Sequence, residues 1–408
     1  MSGGRWLTRD RPWEPERARM ALRGHLTLRL RDDDLQPDLP AHVDVAAGLA
    51  EPARDSGWHR LDRAIAKRSP FMRLSRAYHA SGSLGRRGAH HVGYSALEQQ
   101  LGLSRTFRLA VDPDASVLDL CQDLRAVDGV EMATPVYLCH LPGVASGGSG
   151  YGAGRAAAPP DPLYAHRMIH AAQALAEVPG DPALIVGVVD SGVALDHPEL
   201  NGRLRRGSST CHLTDEGTPR SLKLVPGAVD RQPLDHMGPG TSCAGIIAAR
   251  GIEIPPGLAG ASMVLPIRSL AASHVPGSTA LSAVGRTDDI DLGVKLGIDL
   301  GARVLNLSFG TPASALREDD EVPHVDVVRY ALSRDCVLCA ASGNGGDDVP
   351  YYPAALPGVI AVGAVGPSGR PSRFTSRGPH VALSAPGEAI PSAGLKGYDR
   401  VTGTSFAS

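Results

Sequence analysis

The sequence predicts an α/β protein built on a mainly parallel sheet. Three observations carry this. From residue 161 onward, short continuous apolar runs alternate with segments of helical periodicity, the pattern of buried strands covered by helices on both faces. Aromatic residues are only 4% of the 408, beside 48 glycines and 33 prolines, which suits a core of Val, Ile, Leu and Ala joined by tight turns. Apolar residues make up 42%, enough for a sizeable core.

The elements follow in order. Residues 1–103 are Arg-rich and stay unassigned. The first hundred hold 17 Lys and Arg against 12 Asp and Glu, and the mixed signs read as a solvated surface. Residues 104–142 form a small α+β unit. TFRLAV alternates like a strand, DASVLDLCQDLRAVDG has helical spacing and stops at Gly129, and VEMATPVYLCHL is again a strand. Residues 143–160, GVASGGSGYGAGRAAAPP, read as an exposed linker. Beyond it, ALIVGVVD, MVLPIRSL, RVLNLSFG, CVLCAAS, VIAVGAV and HVALSAP are strands. DDIDLGVKLGIDLGA and VDVVRYALSRD are helices. Ligands of such sheets bind beyond the carboxyl ends of the strands, so the chemistry is expected just after the apolar runs.

Composition narrows the function classes. Formal net charge is −2, from 41 basic and 43 acidic residues, which argues against a nucleic-acid partner. No run reaches the roughly 18–20 apolar residues of a membrane helix, and no signal peptide is visible, so the default expectation is cytoplasmic and without a membrane partner. Six cysteines are too few for a disulfide framework. Cys336 and Cys339 lie three apart on a strand, on opposite faces, and read as buried thiols rather than a redox or metal pair.

Four motifs sit at strand ends. In VVDSG, Asp190 ends a buried strand, where a carboxylate orients an imidazole or serves as a turn residue. GPGTSCAGIIAA is a Gly-rich turn entering an apolar helix. In AASGNGG, Asn344 is either an oxyanion donor or a left-handed turn residue. In GTSFAS, Ser405 opens a helix, as nucleophile or as plain cap.

Together these motifs resemble the subtilisin-like serine proteases, or subtilases, over residues 161–408. The resemblance extends to DPLY, VDSGVALDHPEL, VLNLSFGTP, YYPAALPGVIAVGAV, SRFTSRGP and LSAPGEAI. It implies a three-layer α/β sandwich and an endopeptidase acting on peptide or protein substrates through an acyl-enzyme. By resemblance, Asp190 is the triad aspartate, Ser405 the nucleophile and Asn344 the oxyanion donor. Ser308, Phe309 and Gly310 pair with substrate backbone. Ala341, Ser342 and Gly343 line the pocket for the side chain before the cleaved bond. Glu199 falls where some relatives place a structural calcium ligand; no cofactor is otherwise required. VDGVEMATPVY at 127–137 resembles the end of a subtilase propeptide, which implies an intramolecular inhibitor, and relatives are often secreted.

Two features depart from the family pattern. Pro239 stands where subtilases carry the histidine that acts as general base. His236, three residues earlier, is the nearest substitute. The chain also ends three residues after Ser405, where relatives continue a helix, so a truncated product with an open apolar groove is expected. The alternatives to an endopeptidase are therefore a peptide-binding pseudoprotease and an inactive fragment.

Overall fold

In the computed structural model the described residues are 21–32, 37–140, 161–213, 223–225, 232–274, 281–316 and 320–408. The linker expected at 143–160 lies outside them.

Four antiparallel strands open the chain: β1 (Ala21–Leu30), β2 (Met72–Arg76), β3 (Thr106–Val111) and β4 (Val130–His140), in the order β2-β3-β1-β4. The region left unassigned from sequence thus supplies β1 and β2. Helices α1 (His42–Ala46), α2 (His59–Ala66), α3 (Ala96–Gln100) and α4 (Val117–Arg125) accompany them. Strand periodicity sends Leu26, Leu28 and Leu30 to one face, where they meet Leu61 and Ile65 of α2 and Leu120 and Leu124 of α4. Each such buried side chain contributes about 1.5–3 kcal/mol. Ser116 caps α4 by accepting the Asp119 N–H, and Ser95 with Glu98 forms a capping box on α3.

The second unit holds β5 (Ile185–Asp190), β6 (Ser208–Ser209), β7 (Lys223–Leu224), β8 (Met263–Arg268), β9 (Ala271–His274), β10 (Leu281–Arg286), β11 (Val304–Leu307), β12 (Thr311–Pro312), β13 (Val337–Ala341), β14 (Tyr351–Tyr352), β15 (Val359–Val365), β16 (Val381–Pro386), β17 (Ile390–Gly394) and β18 (Gly397–Val401). Its helices are α5 (Tyr164–Met168), α6 (Ala171–Glu177), α7 (Pro239–Ala248), α8 (Thr287–Asp299) and α9 (Val325–Ser333). Seven strands form a sheet in the order β16-β15-β13-β11-β5-β8-β6, every neighbouring pair parallel. Alternation splits its faces. Val188 packs with Cys243, Ala244 and Ala248 of α7, while Val189 packs with Ile290 and Val294 of α8 and Val328 of α9. The expected three layers follow from this division.

The two units are joined by backbone and by charge. Strand β4 pairs antiparallel with β10, through Leu138↔Arg286 and Cys139↔Gly285, so one seven-stranded sheet runs β2-β3-β1-β4-β10-β9-β7 across both. Arg108 donates to the Asp289 carboxylate at 2.6 Å and to the Asp288 carbonyl at 2.7 Å. The fully buried Lys295 ammonium lies 2.6 Å from both Glu98 and Asp299, and Asp299 also meets His79 at 2.8 Å. Ala77, Tyr78, Leu103 and Cys139 enter the same apolar core as Ile290, Phe309 and Val328.

A cavity of about 70 Å³ borders Phe406 and Ala407 at the end of the chain, lined also by Ile246, Leu258 and Ile390. Among the described residues no helix is long and apolar enough to cross a membrane.

Candidate active site

The carboxyl ends of β5, β11 and β13 bring three of the sequence-predicted residues together. Asp190 ends β5, Asn344 follows β13, and Ser405 lies on a single 3₁₀ turn, Thr404–Phe406, packed against β13 and β15. The thiol of Cys243 on α7 links them: its sulfur is 3.9 Å from Asp190 Oδ2 and 3.4 Å from both Ser308 Oγ and the Ser405 carbonyl. That residue was not singled out from the sequence. The only sequence signal is its place in the turn-to-helix motif itself.

Asn344 is oriented by its neighbour. Its Oδ1 accepts the Thr404 backbone N–H at 2.9 Å and the Thr404 hydroxyl at 2.8 Å, which leaves Nδ2 as the donor end. Ser405 Oγ donates to the Ser308 carbonyl at 3.1 Å, and Ser308 Oγ donates back to the Ser405 carbonyl at 3.0 Å. The nucleophile position and the substrate-strand position are therefore mutually bonded. The site is dry: Asp190, Ser308, Ser342, Asn344 and Ser405 are all buried.

The base position is the exception. Pro239 is the first residue of α7 and is buried. Its fixed φ suits the first helical turn, and its missing N–H is one that a helix start leaves unpaired anyway. Helix α7 is anchored instead by Asp235, whose carboxylate accepts the N–H groups of Met237, Gly238 and Thr241 and the hydroxyls of Thr241 and Ser191. Gly240 must be glycine, because a Cβ there would stand 2.1 Å from the Gly192 carbonyl and 3.1 Å from Asp190 Cβ. The helix start thus presses against the Asp190 turn as closely as backbone permits.

Asp190 accepts the Ser191 N–H at 2.6 Å, a hydrogen bond from the Ser191 side chain and the weak Cys243 contact. Burial dominates and pushes its carboxyl up to about 7. His236 is partly buried in the loop before α7.

The remaining sequence-predicted residues divide. Phe309 is buried beside His324, and Gly310 abuts Tyr351. Ala341 and Ser342 are buried, Ser342 Oγ donating to the Ser376 carbonyl at 3.1 Å. Glu199 has a role unlike a calcium ligand's. Its two oxygens accept the N–H groups of Gly251, Ile252, Glu253 and Ile254 at 2.7–3.3 Å, and these bonds hold its carboxyl below the ordinary range despite burial. A shell of N–H donors presents the same sign of charge as a cation, so this residue does not fit calcium. Among the described residues, His42, His212 and Asp289 bring potential ligand atoms within 4.8 Å of one another. There Arg108 and His212 already occupy the carboxylate. The cysteines are free; burial pushes Cys336 up to about 11 and also raises Cys339.

The subtilase family model, Peptidase S8, matches residues 181–408. Thermitase of Thermoactinomyces vulgaris is 31% identical over 258 residues, covering 61% of this chain and 81% of thermitase. A thermophilic serine proteinase of Bacillus sp. (strain AK1) is 32% identical over 225 residues, covering 55% of this chain and 49% of its own. Subtilisin E of Bacillus subtilis (strain 168) is 34% identical over 230 residues, covering 55% and 52%. This chain belongs to the subtilase family. It spans about half the length of the strain AK1 proteinase and of subtilisin E.

Proposed function

We propose that the chain is a serine endopeptidase unit of the subtilase type, acting on peptide or protein substrates by acyl transfer, with its chemical step slowed by the missing imidazole. The observation that carries this reading is the Asn344–Thr404–Ser405 arrangement. The Asn344 amide is fixed beside the serine by two hydrogen bonds from Thr404 to its Oδ1, and its Nδ2 end is the oxyanion donor in this reading. Ser405 Oγ attacks the peptide carbonyl carbon while Asn344 Nδ2 and the Ser405 N–H hold the charge on its oxygen; the Oγ proton passes through water to the departing amine as the C–N bond breaks, and a second water hydrolyses the ester to free Ser405. In this family position a histidine would receive the Oγ proton, oriented by Asp190. With Pro239 there, residual catalysis rests on the oxyanion donors and on binding. The reaction requires no cofactor.

Pro239 favours a second reading, a cleft that holds peptides without cutting them. Residues 21–140 support an inhibitory role for the N-terminal unit in either case, because β4 pairs with β10 and also contacts β12, directly after Ser308–Gly310. The test is cleavage of peptide substrates by the full chain, by Pro239→His and by Ser405→Ala. Slow cleavage by the parent, lost in Ser405→Ala, supports the endopeptidase. Binding without cleavage in the parent and in Pro239→His supports the second reading.

A further inference from the structure

Resting on the endopeptidase reading of the same cleft, we propose that Tyr351 fills the pocket for the side chain preceding the cleaved bond, so that the site takes peptides with glycine or alanine there. The walls of that pocket are Ser308–Gly310 and Ala341–Gly343. Each wall ends in a glycine, and the Tyr351 ring touches both. A Cβ built on Gly343 would lie 2.5 Å from Tyr351 Cδ2 and 2.6 Å from Cε2. One built on Gly310 would lie 3.1 Å from Tyr351 Cδ1 and 3.2 Å from its Cβ. Cδ1 and Cδ2 are opposite edges of the ring, so the ring stands between the two walls with one edge on each.

Three further features hold it there. Strand β14 pairs with β12 through Tyr351↔Pro312, which ties the tyrosine backbone to the residues just after Gly310. Gly343 has φ +113°, a conformation closed to ordinary side chains, so bare backbone is permanently presented to the ring. The Tyr351 side chain is itself partly buried, and burial first, then the Asp347 carboxylate, push its phenol above its ordinary range. A glycine-walled slot already holding an aromatic ring at contact distance has no room for a second large side chain. Glycine or alanine places no atoms, or one, beyond the backbone and is compatible with the ring in place.

The experiment compares peptides differing only in the residue before the bond, cleaved by the full chain carrying Pro239→His, with and without Tyr351→Gly. With Tyr351 present, kcat/KM for Gly and Ala peptides should exceed that for Phe and Leu by about tenfold or more; Tyr351→Gly should reverse the order, and Tyr351→Phe should keep it. A preference for Phe or Leu with Tyr351 in place overturns this inference while leaving the endopeptidase reading intact. Absence of cleavage by any Pro239→His chain counts against the endopeptidase reading instead, and a second measurement then decides the pocket. In calorimetry, 4-methylphenol, the tyrosine side chain as a free molecule, should bind Tyr351→Gly and not the parent. Equal binding to both, or none to either, overturns the proposal. If Tyr351→Gly fails to fold, Tyr351→Leu replaces it in the cleavage series, with acceptance of Leu peptides the expected result and an unchanged profile the contrary one.

Discussion

The Asp190 carboxylate faces the Cys243 thiol at 3.9 Å, with the start of α7 packed directly against its turn. A buried acid beside a weak sulfur donor has little to stabilise its charge. In a triad an imidazole supplies that stabilisation. Here burial raises the acid to about 7, with Pro239 at the start of the helix packed against its turn.

The first consequence is a pH dependence of stability. An unfolded aspartate titrates near 3.8, whereas Asp190 titrates at about 7 when folded. The folded state binds the extra proton, so stability falls as pH rises from about 4 to 7, by up to about 4 kcal/mol. Asp190→Asn should be close to neutral at pH 4 and more stable than the parent at pH 8. Urea unfolding at the two pH values measures this; equal parent–variant differences at both would contradict it.

Restoring the base should restore the reaction. Pro239→His is expected to raise kcat/KM on peptide substrates by about 10³-fold or more over the parent, and Ser405→Ala added to it should abolish the gain. Asn344→Ala in the same background should cost about 10²–10³ in kcat. Initial rates of peptide cleavage give all three. A parent already as fast as Pro239→His would show that another group takes the proton.

The joint between the units should depend on Lys295. Glu98, from the N-terminal unit, and Asp299 share its ammonium, which holds Glu98 below its ordinary range; Asp299 is held at about 2 by the His79 hydrogen bond, the Lys295 charge and further contacts with both. Groups with depressed values stabilise the fold above the unfolded value and lose that contribution as pH falls toward the folded one. Lys295→Met should therefore destabilise the chain by about 3–5 kcal/mol at pH 7, because two buried carboxylates lose their cation, and by less near pH 3. Chemical denaturation at both pH values tests this.

Glu199 is expected to act as a loop anchor independent of calcium. Removing its carboxylate leaves the N–H groups of residues 251–254 without their acceptor. Glu199→Ala should lower stability by about 2–4 kcal/mol, and millimolar calcium should not rescue it. Thermal unfolding with calcium and with chelator is the measurement. Recovery on adding calcium would identify a cation site there.

Much of the fold was legible because its signals are local. The runs at 106–111 and 359–365 became β3 and β15 with the expected bounds, and the patterns beginning near 287 and 325 became α8 and α9. Residues 1–103 were not legible. The β1 register is set by β3 and β4, some eighty and more than a hundred residues away, and its own sequence alternates charge with leucine as an exposed strand could. Cys243 and Tyr351 were also missed, since neither carries a pattern that says what it will face.

By itself, the sequence determined the family, the order of Asp190, Asn344 and Ser405, and the proline at the base position, because each is a property of residue identity and local spacing. Tertiary structure decided what surrounds those residues. It set the Tyr351 ring between two glycines of separate loops, surrounded the Glu199 carboxylate with backbone donors, and buried Asp190 beside Ser191 and Cys243. Those outcomes depend on desolvation and on contacts between distant segments, which exist only once the chain has packed.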